Sequence, residues 1–108
     1  MTTKTVLEPE IAVGTEIERE KLYHVIILND EEHTIEYVVE MLQATVGLSA
    51  SDAMARTLEA DRTGSAIVFT GGLEDAEHKR DLIHAYGPDW RMPSSRGSVS
   101  ALVEPAAE

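Results

Sequence analysis

The sequence predicts an α+β domain built in the order β-α-α-β-α-β, a three-stranded antiparallel sheet with its helices packed on one face. Three observations carry this. Three short runs rich in β-branched and aliphatic residues are each bounded by turn residues. Between them lie stretches whose apolar residues recur every three or four positions. The chain has 108 residues, which fits one domain with one modest core.

Residues 1–20 carry Thr, Pro, Gly and five crowded acids, Glu8, Glu10, Glu16, Glu18 and Glu20, with no sustained period. They read as a flexible acidic extension. The domain then spans 21–104, and 105–108 form a tail. The first strand is Leu22 to Leu28, ended by Asn29-Asp30. Thr34 can cap the first helix, since its hydroxyl accepts from the unbonded N–H groups of the first turn. Ile35, Val38, Val39, Leu42 and Val46 follow at helical spacing, and Gly47 stops the run. Ser49 to Asp52 offers a second cap. Ala53, Met54, Thr57, Leu58 and Asp61 then share one side of a second helix, which Gly64 ends.

Ser65 to Thr70 is the second strand, broken by Gly71-Gly72. A third helix is expected over about Leu73 to Tyr86, with Ala76, Ile83 and Tyr86 on one face and Gly87-Pro88 closing it. A loop through Pro93 and Gly97 leads to a last strand over Ser98 to Val103.

Hydrophobic residues make up 43% of the chain, enough for a globular core. There is no Cys, which excludes disulfides, thiolate catalysis and Cys-ligated zinc, and favours the cytoplasm. No apolar run reaches the roughly 20 residues of a membrane helix, and no signal-peptide pattern stands at the start. The formal net charge is -11. Such a surface repels nucleic acid and anionic membranes and suits a cationic ligand.

The junction Ile26 to Val39 concentrates the information. A buried strand runs straight into Asn29, Asp30 and Glu31, then into a helix with an apolar face. Rigid strand ends that open into loops are where binding groups are held. Taken alone, Asn-Asp followed by a capped helix is an ordinary turn.

In order and spacing this junction resembles the ClpS family. That family has Asn-Asp-Asp at the strand end and then Thr-Pro-Met-Glu-Phe-Val. Here the run is Asn29-Asp30-Glu31, then Glu32-His33-Thr34-Ile35-Glu36-Tyr37-Val38. The likeness continues without a gap from about Tyr23 to about Tyr86. It includes Gly64-Ser65-Ala66-Ile67 for the family's Gly-x-Ala-Ile, and Glu74 with Lys79 for its Glu and Lys near the third helix.

The resemblance implies a non-enzymatic adaptor. Such a protein binds the N-terminal segment of a substrate and delivers it to a Clp protease through the N-terminal domain of a ClpA or ClpC unfoldase. It implies that Asn29, Asp30 and the residue at 61 bind the α-ammonium group. The family has His at that last position and this chain has Asp61. An ammonium has three donors and no acceptor, so a carboxylate serves.

Glu31 takes the place of an Asp that holds the target's backbone. The side-chain pocket would be walled by Ile27, Ile35, Val38, Thr57, Ala60 and Val99. Ile35 and Thr57 stand where the family has Met, which implies a pocket admitting Leu, Ile and Val at some loss for aromatic residues. Glu74 and Lys79 would dock the unfoldase. No cofactor and no metal are implied, and a monomer is expected.

Two other readings exist. His78, Asp81 and His84 recur at three-residue spacing and so face one another on a helix. A hydrolytic metal site needs about three protein ligands and an open position, and nothing else in the chain supports one. Ser94 and Ser95 lack a nucleophile-elbow pattern. Alternatively, the fold is kept and N-terminal recognition lost, as in the similar C-terminal domain of a ribosomal stalk protein, which binds translation factors. That domain lacks the Asn-Asp junction.

Overall fold

The computed structural model describes residues 21–106. The 1–20 extension and the last two residues of the tail lie outside that range. The elements are β1 (Tyr23–Leu28), α1 (Ile35–Thr45), α2 (Ala50–Thr63), β2 (Ser65–Gly71), α3 (Leu73–His84) and β3 (Ala101–Pro105). The order matches the sequence-based expectation. β1 is central, flanked by β2 on one side and β3 on the other, both antiparallel to it.

Alternation along β1 turns Tyr23, Val25 and Ile27 to one face. Val25 and Ile27 are fully buried there, beside Ala66 and Val68 of β2 and Ala101 of β3. Val25 pairs with Phe69 and Ile26 with Ile67, so Val68 is an extra residue in the ladder, a β-bulge.

Both α1 and α2 start on side-chain caps. Thr34 Oγ1 accepts the Tyr37 N–H, and Ser49 Oγ accepts the Asp52 N–H. α2 ends at Gly64 with φ +103°, a left-handed conformation that glycine adopts without a Cβ clash. The third helix stops at His84, two residues short of expectation, and Tyr86 stands half in solvent with its ring edge against Tyr37.

Two packing details differ from the sequence reading. On α2 the buried stripe is Ala53, Thr57 and Ala60, while Met54 and Leu58 are exposed. Small side chains let the helix approach α1 and β2 closely, and the larger ones are left at the surface. On α1 the buried set includes Tyr37, Met41 and Thr45, while Ile35 is 39% exposed. The buried hydroxyls are bonded: Tyr37 Oη donates to the Gly87 carbonyl and Thr45 Oγ1 to the Met41 carbonyl. The last strand begins at Ala101, three residues later than expected, and runs through Pro105, one residue past the expected domain end.

Candidate functional site

The end of β1 is held from both sides. The Leu28 N–H donates to the Ser100 carbonyl at 3.1 Å, and the Asn29 N–H donates to the Gly64 carbonyl at 2.9 Å. These two bonds bring the segment before β3 and the C-terminal end of α2 to the same strand end. α1 starts six residues after Asn29, on its Thr34 cap. A cleft forms where the four segments meet.

Its lining follows from the elements. β1 and its turn supply Ile27, Leu28, Asn29 and Asp30; the start of α1 supplies His33, Thr34, Ile35 and Val38; α2 supplies Thr57, Ala60 and Asp61; and the last segment supplies Val99. Ile27, Val38, Thr57, Ala60 and Val99 are buried and form the floor. Asn29, Ile35 and Asp61 are exposed at the mouth, with Asp30 half-buried beside them. The space counted out to the opening, solvent included, is about 370 Å³.

Every residue expected at the ammonium site and in the side-chain pocket therefore lines one cleft. Glu31 is exposed and not part of the wall. Glu74 and Lys79 lie on α3, which contributes nothing to the lining. Glu74 is exposed, and the Lys79 ammonium lies 5.8 Å from the centre of the Phe69 ring.

The polar groups at the mouth differ in how they are engaged. Asp30 is bonded within its own turn. Its Oδ1 accepts the Glu32 N–H at 2.9 Å, an Asx turn, and both its oxygens lie 2.8 Å from His33 Nδ1. Among the described residues, neither the Asn29 amide nor the Asp61 carboxylate has a side-chain ion pair. Two carboxylates and an amide oxygen above an apolar floor make a site for a cationic head on a hydrophobic body.

Sequence reasoning missed two participants. His33 is a wall residue, and the signal for it was its i+3 position after Asp30. Asp89 is 1% exposed. Its Oδ2 accepts the Thr34 N–H at 2.6 Å, and its Oδ1 accepts the Arg91 N–H at 3.0 Å. Burial pushes this carboxyl up, but the bonds from Thr34 and Arg91 outweigh burial and hold it below the ordinary carboxylate range. Arg91 also reaches Glu40 of α1 at 3.0 Å. Together these contacts pin the loop before Val99 onto the N-terminus of α1, where negative charge is stabilised by the helix dipole.

Among the described residues, no three His, Asp or Glu side chains gather closely enough to hold a metal ion. Of the three residues considered for one, Asp81 pairs with Arg80, and His84 Nε2 accepts the Ala101 N–H. No helix among the described residues is long and apolar enough to cross a membrane.

A small α+β domain with an open cleft under acidic and amide groups has room for a ligand, and its likeness to known proteins gives the class. The family model "ATP-dependent Clp protease adaptor protein ClpS" matches residues 18–93. The ATP-dependent Clp protease adapter protein ClpS of Nautilia profundicola is 38% identical over 84 residues, covering 78% of this chain and 82% of its own. That of Acetivibrio thermocellus is 30% identical over 105 residues, covering 97% and 99%. Among solved structures, Agrobacterium tumefaciens ClpS2 bound to L-phenylalaninamide superposes with a TM-score of 0.65 at 30% identity, covering 82% of this chain and all of that one. The chain belongs to the ClpS family of Clp protease adaptors.

Proposed function

We propose that this adaptor binds the free α-amino group and the hydrophobic side chain of a substrate's N-terminal residue in the cleft and hands the substrate to a Clp unfoldase. One observation carries this: the Asn29 amide and the Asp30 and Asp61 carboxylates share a mouth above the buried floor of Ile27, Val38, Thr57, Ala60 and Val99. The ammonium donates to the mouth while the side chain enters the floor. A relative whose solved structure holds L-phenylalaninamide, an amino-acid amide with a free α-amino group, supports the same reading here.

The magnitudes agree. A buried Leu side chain gives about 1.5–3 kcal/mol, and each hydrogen bond to a charged group nets about 1.5–3 kcal/mol. Two or three such bonds with the side chain reach roughly 6–10 kcal/mol before ordering costs, which is about micromolar binding. Thr57 and Ile35 shape the cleft for aliphatic residues. Thr57 is small, and its hydroxyl is spent on the Ala53 carbonyl. Ile35 is stiff at its β-carbon. Leu, Ile and Val are the expected N-terminal residues, with weaker binding of Phe, Tyr and Trp.

Glu31, outside the wall, is assigned to the backbone of the target. Glu74 and Lys79 on α3 are assigned to the N-terminal domain of a ClpA or ClpC unfoldase, which leaves the cleft open during docking. The protein acts as a cytoplasmic monomer without catalysis, cofactor or nucleic acid. Pull-down of the purified unfoldase domain by the wild type and by a Glu74→Ala, Lys79→Ala pair tests the docking face. Retained binding by the pair removes that assignment.

A further inference from the structure

The Asp30 carboxylate is already engaged before any ligand arrives. His33 Nδ1 lies 2.8 Å from each of its oxygens, and His33 Nε2 lies 2.6 Å from the Gly97 carbonyl oxygen. A carbonyl brings no hydrogen, so Nε2 carries one. The contact between Nδ1 and the carboxyl group needs a second proton between them. Whether that proton sits on the ring or on the carboxyl, the pair is neutral as a unit.

The ring is also fixed in place. The His33 side chain is 4% exposed, and its ring lies 4.7 Å from that of Tyr37, centre to centre. Tyr37 Oη in turn donates to the Gly87 carbonyl at 2.6 Å, and the Gly87 N–H donates to Ser98 Oγ. His33 thus joins the turn after β1 to the segment that carries Val99 into the cleft. Charged groups on the elements around it include Glu32 beside it in the turn, Asp61 across the cleft on α2, Asp89, bonded to the neighbouring Thr34 N–H and to Arg91, and Arg96, next to Gly97 in the chain.

We propose that His33 is a positioning residue of the cleft. It holds Asp30 and, through Gly97, the Val99 wall at one fixed spacing, and by neutralising Asp30 it leaves Asp61 as the carboxylate whose charge meets the ammonium. This rests on the N-terminal recognition proposed above. It also gives a physical reason for an acid at position 61: a site whose other carboxylate is compensated still needs one uncompensated negative charge to favour a cation.

The experiment has two arms on the full chain. The first needs no ligand. Nuclear magnetic resonance of the wild type, His33→Gln and His33→Ala reads the carboxyl carbons of Asp30 and Asp61 and the methyls of Val99. The Asp30 and Val99 signals are expected to move together in His33→Ala while Asp61 stays. Gln supplies one N–H and one carbonyl, so it is expected to restore part of the shift. Should the Ala variant fail to fold, the Gln variant decides alone. Unmoved Val99 signals overturn the coupling.

The second arm is calorimetry with a Leu-start peptide. His33→Ala is expected to weaken binding about tenfold. Adding Asp30→Asn to it is expected to change the affinity less than about twofold, because the two residues act as one unit. Adding Asp61→Asn is expected to multiply the loss. Independent, multiplying losses for His33 and Asp30 overturn the proposal. If the wild type binds no peptide, N-terminal recognition and the role given to Asp61 fall, while the first arm still decides whether His33 couples Asp30 to Val99.

Discussion

The Asp89 carboxylate reaches back across 55 residues of chain to accept the backbone N–H of Thr34 at 2.6 Å. Thr34 is the N-cap of α1, and Asp89 begins the loop that leads to Val99. One buried acid therefore sets where the last wall of the cleft lies against the first helix. Replacing it with Ala takes the partner from the part-buried Thr34 and Arg91 N–H groups. The expected loss is about 2–4 kcal/mol in urea unfolding, while a surface control such as Glu77→Ala stays within about 0.5 kcal/mol.

The same residue gives a pH dependence. The folded carboxyl is held below its ordinary value by the bonds from Thr34 and Arg91. An unfolded chain binds the proton first, at about pH 3.9. The contribution of Asp89 is complete above about pH 5 and is lost as the pH falls through the lowered folded value. Stability of the wild type is expected to drop more steeply below about pH 4 than that of Asp89→Asn, the two profiles running parallel from pH 6 to 8. Chemical unfolding at stepped pH reads this directly, and parallel profiles throughout would remove Asp89 as the cause.

Gly64 ends α2 at φ +103°, and its carbonyl accepts the Asn29 N–H. A Cβ there meets no atom within 4 Å, so the penalty of Gly64→Ala is purely conformational. About 1–2 kcal/mol of stability is expected to be lost, read as a shift in the urea midpoint at unchanged slope. A neutral outcome would mean that the helix end relaxes away from the left-handed conformation.

The shape of the cleft makes a prediction of its own. Enlarging the floor residue with Thr57→Met fills the space an aliphatic side chain needs and is expected to weaken Leu-start and Val-start peptides alike. Ile35→Met, at the exposed mouth, is expected to cost β-branched starts more than Leu, by roughly tenfold, within the range a misplaced methyl group is worth. A peptide series beginning with Leu, Ile, Val, Phe and Trp measures both. Equal affinity of the wild type for Leu and Trp with none for Ile or Val would contradict the aliphatic assignment.

Much of the domain was legible in the chain because its local signals agree. The caps at Thr34 and Ser49, the glycines at 47 and 64 and the aliphatic run of β1 each point to the element that forms. The residues of the cleft were named from the resemblance to the ClpS family, and they meet because they sit at the ends of those elements. What escaped depends on contacts between distant segments. Nothing local marks Asp89 as buried, since its partner is Thr34. Nothing local shows that Ala53 and Ala60 would face inward while Met54 and Leu58 face out, because closeness of approach and not side-chain hydrophobicity decides it. His33 read as one more polar residue of a turn until Gly97 was brought to its far side.

The central claim is that a free α-ammonium is what the mouth of the cleft reads. Fluorescence anisotropy with a labelled Leu-start peptide and its N-acetylated twin tests this most directly. Saturable binding of the free peptide at about micromolar concentration, weakened at least about a hundredfold by acetylation through the loss of two charged hydrogen bonds, is the expected result. Equal binding of both peptides, or of neither, would contradict it.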